Sequence, residues 1–448
     1  MTSISPLMPP HQNRHKMKKP ILYAAMALLI PAIMAHGQIH KLDTFMYSPA
    51  LDTVKMVDVI LPPGYDTALN TYYPVVYYLH GWTGDQNSNT SIVSYMNTFI
   101  NNQTIEPCIL VKPSSWCEPF EGSFYVNSPL WGNYQDYITH DLIQWVDSSF
   151  RTVAQKSHRG LLGQSMGAYG CLFLPTAYPA YYRAAAGHAG GGSYYRYDSL
   201  VESLVVLEHG SNPPYFYNYS SNKLYTMAWF LMAGAFSPNP NTSQQYISPQ
   251  LVDYPFDEYG HIIDSTWEKF QSQATEITIR QLSPADSVAF LLSCGTLDEF
   301  FQFEPMEDLV DTMLKYNLDV EWLPHTGDHA MPTLFKNRAL IWLDSILGDP
   351  VTIDTSTGFF VTAPAHGIRF YPNPAGEDIW VEAALPNAAP FSVALFDMEG
   401  KLVRDLAGER QAQGSIRLNL SLRGIPAGSY LLHIRKGHHH LYDKLIIH

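Results

Sequence analysis

An α/β domain built on a mostly parallel sheet, followed by a small all-β domain, is the architecture the sequence predicts. Three observations predict it. Apolar runs of strand length alternate with segments of helical spacing between Pro74 and Leu347. One of those runs, Leu161-Leu162, passes directly into Gly163-Gln164-Ser165-Met166-Gly167, a small-residue turn of the kind that joins a buried strand to a helix. From about residue 367 the text changes to short runs separated by turn residues.

The alternation can be followed in order. Val54 to Leu61 alternates partially and ends at Pro62-Pro63-Gly64, a strand and its turn. Pro74 to Leu79 is continuously apolar, as a strand buried on both faces must be, and it runs into His80-Gly81-Trp82. Ile92 to Ile100 is amphipathic, Cys108 to Val111 reads as a second buried strand, and Pro113 to Asn133 reads as an aromatic-rich loop. Tyr134 to Phe150 has helical spacing, with Ile138, Leu142, Trp145 and Val146 on one side. After the serine turn, Arg183 to His188 gives another strand. Residues 189–284, rich in Tyr, Ser, Asn and Pro, are too long for an ordinary connection and read as a cap, with helical pieces at Leu224 to Ala235 and near Trp267. The rhythm resumes with strands at Val288 to Cys294 and Val320 to Leu323. Helices are expected at Glu304 to Tyr316 and Leu334 to Leu347.

Residues 349–366 lack any period and read as a linker. Residues 367–448 then carry six short runs, Asp378 to Ala383, Phe391 to Phe396, Lys401 to Arg404, Ser415 to Leu420, Ser429 to Arg435 and Leu441 to Ile447, as expected of a small sandwich. Asp397 to Gly400 reads as a hairpin turn. His438-His439-His440 reads as an exposed polar tract rather than a metal site, because no other ligands accompany it.

A chain of 448 residues, 46% hydrophobic and 15% charged, has enough apolar content to fold as more than one globular unit. Its first 37 residues read as a signal peptide: basic residues from His11 to Lys19, an apolar run from Ile21 to Met34, and small residues at Ala35-His36-Gly37. Met17 is an alternative start to Met1. Without that leader, four of the 27 basic residues are lost and 23 face 41 acids, a formal charge of −18. Such a balance excludes nucleic acid and anionic membrane surfaces as expected partners. The four cysteines show no metal spacing; the sequence leaves open whether Cys108 and Cys117 pair in an oxidising compartment, with unpaired thiols the favoured reading, whereas Cys171 and Cys294 lie in apolar runs as inert thiols.

A serine presented on a strand-to-helix turn becomes a nucleophile only with a base, an acid that orients the base, and donors for an oxyanion. In this type of turn the acid and the base follow from loops after later strands, in that order. Asp298, just past Leu291 to Cys294, is the acid in preference to its neighbour Glu299. His329, beyond a glycine in the loop after Val320 to Leu323, is the base in preference to His325. The expected oxyanion donors are the backbone amides of Met166, which follows the serine, and Trp82, in the loop after Leu79. His80 is read as a brace for that loop. Trp116 and Trp131, in the aromatic loop, are the candidate pocket residues able to stack a sugar or phenolic ring.

Five segments, Leu61-Pro62-Pro63-Gly64-Tyr65, Tyr78-Leu79-His80-Gly81, Gly163 to Gly167, Cys294-Gly295-Thr296-Leu297-Asp298 and Gly327-Asp328-His329, together resemble the putative esterase family of α/β-hydrolases. This is the esterase D-like family that includes feruloyl esterases, acetyl xylan esterases, S-formylglutathione hydrolases and mycolyltransferases. The resemblance covers residues 38–348. It implies an α/β-hydrolase fold with a helical cap, a Ser165–Asp298–His329 triad, no cofactor or metal, and carboxylic ester hydrolysis, with feruloyl or acetyl esters of plant polysaccharide as candidate substrates. Ala168 stands where many relatives have a second glycine, and Ala330-Met331-Pro332 replaces an aromatic residue found after the histidine in several. Alternatives on the same fold are a secreted serine peptidase or acyltransferase, or a non-catalytic surface-binding protein. The tail, with Phe370-Tyr371-Pro372-Asn373-Pro374-Ala375, Pro426-Ala427-Gly428-Ser429-Tyr430 and Lys444-Leu445-Ile446-Ile447, resembles the C-terminal sorting domain of the type IX (Por) secretion system. That resemblance implies export through the periplasm to the medium or the cell surface, with the secretion machinery as partner.

Overall fold

The computed structural model describes residues 38–192, 197–352, 368–397, 401–436 and 439–448. The expected signal peptide, most of the expected linker, most of the Asp397 to Gly400 turn and the side chains of the histidine tract lie outside the described residues. Among the described residues no helix is long and apolar enough to cross a membrane.

The body is an eight-stranded sheet. Its strands in chain order are β1 (His40–Ser48), β2 (Thr53–Leu61), β3 (Val75–Leu79), β4 (Ile109–Pro113), β5 (Arg159–Gln164), β6 (Ala184–His188), β7 (Ala289–Ser293) and β8 (Asp319–Trp322). They lie side by side as β1-β2-β4-β3-β5-β6-β7-β8. The six from β4 to β8 pair in parallel, and β2 joins β4 antiparallel, with β1 as its hairpin partner at the edge. A parallel sheet must be covered on both faces because its crossovers are helices, and the side chains divide accordingly. Tyr77, Leu161, Phe290 and Leu292 enter one core; Val76, Tyr78, Leu162 and Leu291 enter the other.

Helices α1 (Ser91–Asn101) and α9 (Thr333–Ile346) cover the second face through Ile92, Met96, Phe335 and Leu340. The first face is covered by α2 (Ile143–Ser149), α3 (Met166–Ala177), α8 (Phe303–Lys315) and the segment between β6 and β7. The helix expected from Tyr134 to Phe150 is present, but its Tyr137–Leu142 portion is π-helical before α2 begins. The cap region supplies α4 (Asp198–His209), α5 (Leu224–Phe236), α6 (Asp264–Ser272) and the single turn α7 (Thr275–Thr278). Helix α5 is apolar all round, and a helix with no polar face has to be covered on all sides. Its Trp229, Phe230 and Leu231 join the same core as β5 and β7.

Cys108 and Cys117, whose pairing the sequence leaves open, are not bonded. All four cysteines are free and buried, and Cys108 packs in the core on one face of the sheet while Cys117 packs in the other. The peptide stretch between them is β4 itself, which keeps the two sulfurs on opposite sides.

The C-terminal strands are β9 (Ile368–Tyr371), β10 (Asp378–Phe396), β11 (Leu402–Ser421), β12 (Gly428–Lys436) and β13 (His439–Ile447), all antiparallel. Here the sequence expectation needs correction, because four of the six short runs belong to only two strands. The turn-like residues between them stay in the ladder. The register skips between Leu385 and Ala389, so β10 bends without leaving its partner β11. Strand β10 pairs β9 at Val381 to Ala383 and β12 at Phe391 to Phe396, and both halves share one core of Ile379, Val381, Phe391, Val393 and Leu432. The aromatic side chains of this region are occupied locally: Tyr430 donates to the Pro426 carbonyl at 2.8 Å, and the Arg417 guanidinium lies 4.5 Å over the Trp380 ring.

Candidate active site

Gln164 ends β5 and α3 starts at Met166, so Ser165 alone makes the turn. It does so at φ 56° and ψ −122°, a left-handed backbone that costs a non-glycine residue of order 1–3 kcal/mol and is held only where the surroundings over-determine it. The surroundings do so by close backbone approach. A Cβ on Gly163 would collide with the Gly167 carbonyl, and one on Gly167 with the Leu79 carbonyl at the end of β3. The Ser165 amide donates to the His188 carbonyl at 2.8 Å, which ties the turn to β6. The alanines and glycine of β6 let α3 sit close: Gly187 faces Ala168.

Asp298 and His329 meet. His329 Nδ1 lies 2.7 Å from Asp298 Oδ2, with the carboxylate fully buried and the imidazole 14% exposed. The other carboxylate oxygen, Oδ1, accepts from the amides of Phe300 at 2.9 Å and Gln302 at 3.3 Å, and the Cys294 thiol lies 3.6 Å from Oδ2. Phe300 packs against the His329 ring at 4.6 Å between centroids. The two alternatives weighed in the sequence have other occupations. Glu299 is exposed and accepts the His329 amide at 3.0 Å, so it grips the backbone of the loop and not the ring. His325 accepts the Gly327 amide on Nδ1 at 2.9 Å and stacks on His188 at 5.3 Å. Burial, with His325 and His329 close by, pushes His188 down to about 3.

Ser165, Met166, Trp82 and His329 all line one cavity of about 130 Å³. Its other walls include Phe124, Tyr169, Ala274 and the cap side chains Trp229, Phe236, Trp267 and Phe270, with Gln271, Gln273, Thr275 and Gln302 among the polar residues. The polar atoms of several of these walls are already engaged: the Trp82 indole donates to the Phe120 carbonyl at 2.9 Å, the Trp267 indole to Asp198 at 3.1 Å, and Tyr225 to the Glu299 carbonyl at 3.0 Å. The surface offered to a ligand is therefore largely apolar. As the first residue of α3, Met166 has an amide with no acceptor inside the helix, and the helix dipole adds to its pull on a negative charge.

His80 braces its loop. Its ring is buried; Nε2 accepts the Ser115 amide at 2.7 Å, which leaves Nδ1 to donate to the Gly81 carbonyl at 2.8 Å. Burial pushes it down to about 4, so it is neutral at ordinary pH. Trp116 and Trp131 are not part of the cavity wall. Trp131 packs against Gly234 on α5 and donates to the Val126 carbonyl at 3.3 Å, whereas the Trp116 side chain is 38% exposed. The aromatic wall comes instead from Tyr169 on α3 and from α5 and α6. The signal that could have located it is the unbroken apolar stretch of α5, which a helix on the outside of the cap would not need. Among the described residues no group of three His, Cys, Asp or Glu is placed to hold a metal.

Residues 48–322 match the family model described as putative esterase, and residues 369–448 match the secretion system C-terminal sorting domain. An esterase of Mycobacterium tuberculosis is 31% identical over 169 residues, 36% of this chain and 35% of that protein. An endo-1,4-beta-xylanase/feruloyl esterase of Xylanibacter ruminicola is 26% identical over 170 residues, 36% of this chain and 22% of its own. The chain thus spans about a third or less of the length of these curated relatives. Among solved structures, a ferulic acid esterase matches with TM-score 0.49 and 15% identity, over 69% of this chain and all of that one. An S-formylglutathione hydrolase from Agrobacterium tumefaciens matches with TM-score 0.45 and 15% identity, over 70% and 96%. Because the matched segment, residues 48–322, is more than half of the chain, this protein belongs to the putative esterase family.

Proposed function

We propose that this esterase is a secreted serine esterase that works through an acyl-enzyme on Ser165. What carries the reading is the placement of a serine in a left-handed turn and an Asp298–His329 pair at 2.7 Å on the wall of one apolar cavity. Asp298 fixes the proton of His329 on Nδ1 and leaves Nε2 as the base. Nε2 takes the Ser165 proton as Oγ bonds to the ester carbonyl carbon and the carbonyl electron pair moves onto oxygen. The amides of Trp82 and Met166 receive that oxyanion. Collapse breaks the bond to the alcohol oxygen, which leaves with the proton from His329. Water then repeats the sequence and releases the acid. The buried Asp298 carboxylate, in contact with the imidazole, stabilises the imidazolium as it forms.

For the acyl group, size favours a feruloyl over an acetyl ester, the two plant-polysaccharide esters that the resemblance raises. A cavity of roughly 150 Å³ lined by aliphatic and aromatic side chains takes up a benzene ring. At about 130 Å³, the cavity beside Ser165 is of the size to take the aromatic ring of an acyl group such as feruloyl, and an acetyl group would leave most of it empty. The C-terminal segment is proposed to direct the chain through the type IX secretion machinery, by way of the periplasm, to the medium or the cell surface.

The test is Ser165→Ala in the full chain, assayed on p-nitrophenyl acetate, an aryl feruloyl ester and a peptide amide. The parent is expected to hydrolyse the esters, to prefer the feruloyl ester, and to be labelled by a fluorophosphonate; the variant is expected to do none of these. Turnover retained in Ser165→Ala removes Ser165 from the mechanism. Peptide cleavage by the parent at a rate matching the esters makes it a peptidase.

A further inference from the structure

The geometry points to Gln164 as a positioning residue that holds the His329 loop in register with the serine turn; this rests on the reading of Ser165 and His329 above. Gln164 is the last residue of β5 and the neighbour of Ser165. Its Nε2 donates to the His329 carbonyl at 3.1 Å. Its Oε1 accepts from Asn89 Nδ2 at 3.0 Å, and the same Asn89 amide meets the Tyr78 hydroxyl. Tyr78 belongs to β3, the strand that runs into His80-Gly81-Trp82. A single side chain therefore connects three parts of the site: the turn that carries the nucleophile, the loop that carries the base, and the strand beneath the oxyanion loop.

The backbone of His329 is gripped at both ends. Its N–H donates to Glu299 at 3.0 Å and its C=O accepts from Gln164, while the ring is fixed separately by Asp298. Ring orientation and backbone position are thus set by different residues. The rest of the loop is tied to the Asp298 loop, whose Thr296 and Leu297 amides donate to the His325 and Gly327 carbonyls at 2.8 and 3.0 Å, whereas Gln164 ties it to the serine turn. Asn89 is itself held in a left-handed conformation at φ 52°, which asparagine tolerates better than most residues. Removal of the Gln164 amide leaves the acid–base pair intact but frees it to drift from Ser165. Misplacement of reacting groups by about 1 Å costs on the order of a hundredfold in rate.

Gln164→Met keeps the length of the side chain and removes donor and acceptor together. Measured on the same p-nitrophenyl ester as the parent, it is expected to lower kcat about ten- to a hundredfold with KM unchanged within about threefold, because the cavity that binds the acyl group is untouched. Asn89→Ala is expected to lower kcat in the same sense by a smaller factor. The double variant is expected to be no slower than Gln164→Met alone, since Asn89 acts through Gln164. Circular dichroism normalises each rate to folded protein, and if Gln164→Met does not fold, Asn89→Ala carries the test. A folded Gln164→Met with parental kcat overturns the inference. So does a loss confined to KM, a fully additive double variant, or a parental kcat in Asn89→Ala. Ser165→Ala run in parallel separates the two failures: if it stays active the serine reading falls, and if it is dead while Gln164→Met is parental only the clamp falls.

Discussion

Replacement of Asp298 by asparagine changes one atom, and the structure dictates which way the new amide turns. With its oxygen kept toward the amides of Phe300 and Gln302, at 2.9 and 3.3 Å in the parent, the NH2 group faces His329 Nδ1. The imidazole must then accept on Nδ1 and carry its proton on Nε2, the position that should receive the Ser165 proton. The opposite rotamer would present NH2 to two backbone N–H groups, with buried donors left unpaired at about 1–3 kcal/mol each. The first orientation wins and the base is disabled. In a serine protease triad, the same change with geometry preserved lowers kcat about 10⁴-fold, which is roughly 5–6 kcal/mol of transition-state stabilisation. We expect a loss of that order for Asp298→Asn at pH 7 on a p-nitrophenyl ester, with the chain still folded and fluorophosphonate labelling slowed in parallel. A kcat within about tenfold of the parent would refute the assignment of Asp298 as the orienting acid.

Two further outcomes follow from named residues. His80 titrates near 6.5 in an unfolded chain but is held down to about 4 in the fold by burial. Between those values the unfolded state binds the extra proton, so the stability is complete above pH 6.5 and is lost as pH falls toward 4, by on the order of 3 kcal/mol at most. Urea unfolding at pH 7 and pH 4.5 should show the parent losing more stability than His80→Gln, and parallel losses would exclude His80 as the source. Ala274 is buried and lines the cavity, so Ala274→Leu fills part of it; kcat/KM for a feruloyl ester is expected to fall at least about tenfold while that for an acetyl ester stays within about threefold. Equal losses on both esters would mean that the acyl group does not enter this cavity.

The sheet was legible, and so was the meeting of Asp298 and His329 from their two loops, because each rests on local signals. A strand buried on both faces reads as an unbroken apolar run, and a serine turn needs small residues beside it, so β3, β5 and β7 and the loops after them could be placed from residues alone. The wall opposite the serine was not legible. Trp229, Trp267 and Phe270 come together only through the packing of α5 and α6, and no periodicity records which of a cap's aromatics face inward. Trp116 and Trp131 were the nearer choice in sequence, yet Trp131 is used to seat α5 and Trp116 faces solvent. The tail failed differently. Its strands bend through an irregular register, so turn-like residues that sit within a ladder read as breaks in it. Gln164 escaped notice because a variable position inside a serine turn carries no residue-type signal; its role appears only once the His329 loop is folded beside it.

The short pairing of Val351–Thr352 with Thr71–Tyr72 bears on where the chain can be cut. The two segments run antiparallel, and the Thr71 and Thr352 hydroxyls lie 2.9 Å apart across 281 positions of sequence. A protein cleaved before residue 351 would lose this clasp, while Thr71 would keep its bonds to the Ala68 carbonyl at 3.0 Å and from Arg151 Nε at 3.2 Å. Cleavage after Thr352 would keep it. A fragment that keeps both strands of this pairing therefore extends at least to Thr352, a few residues beyond the last helix.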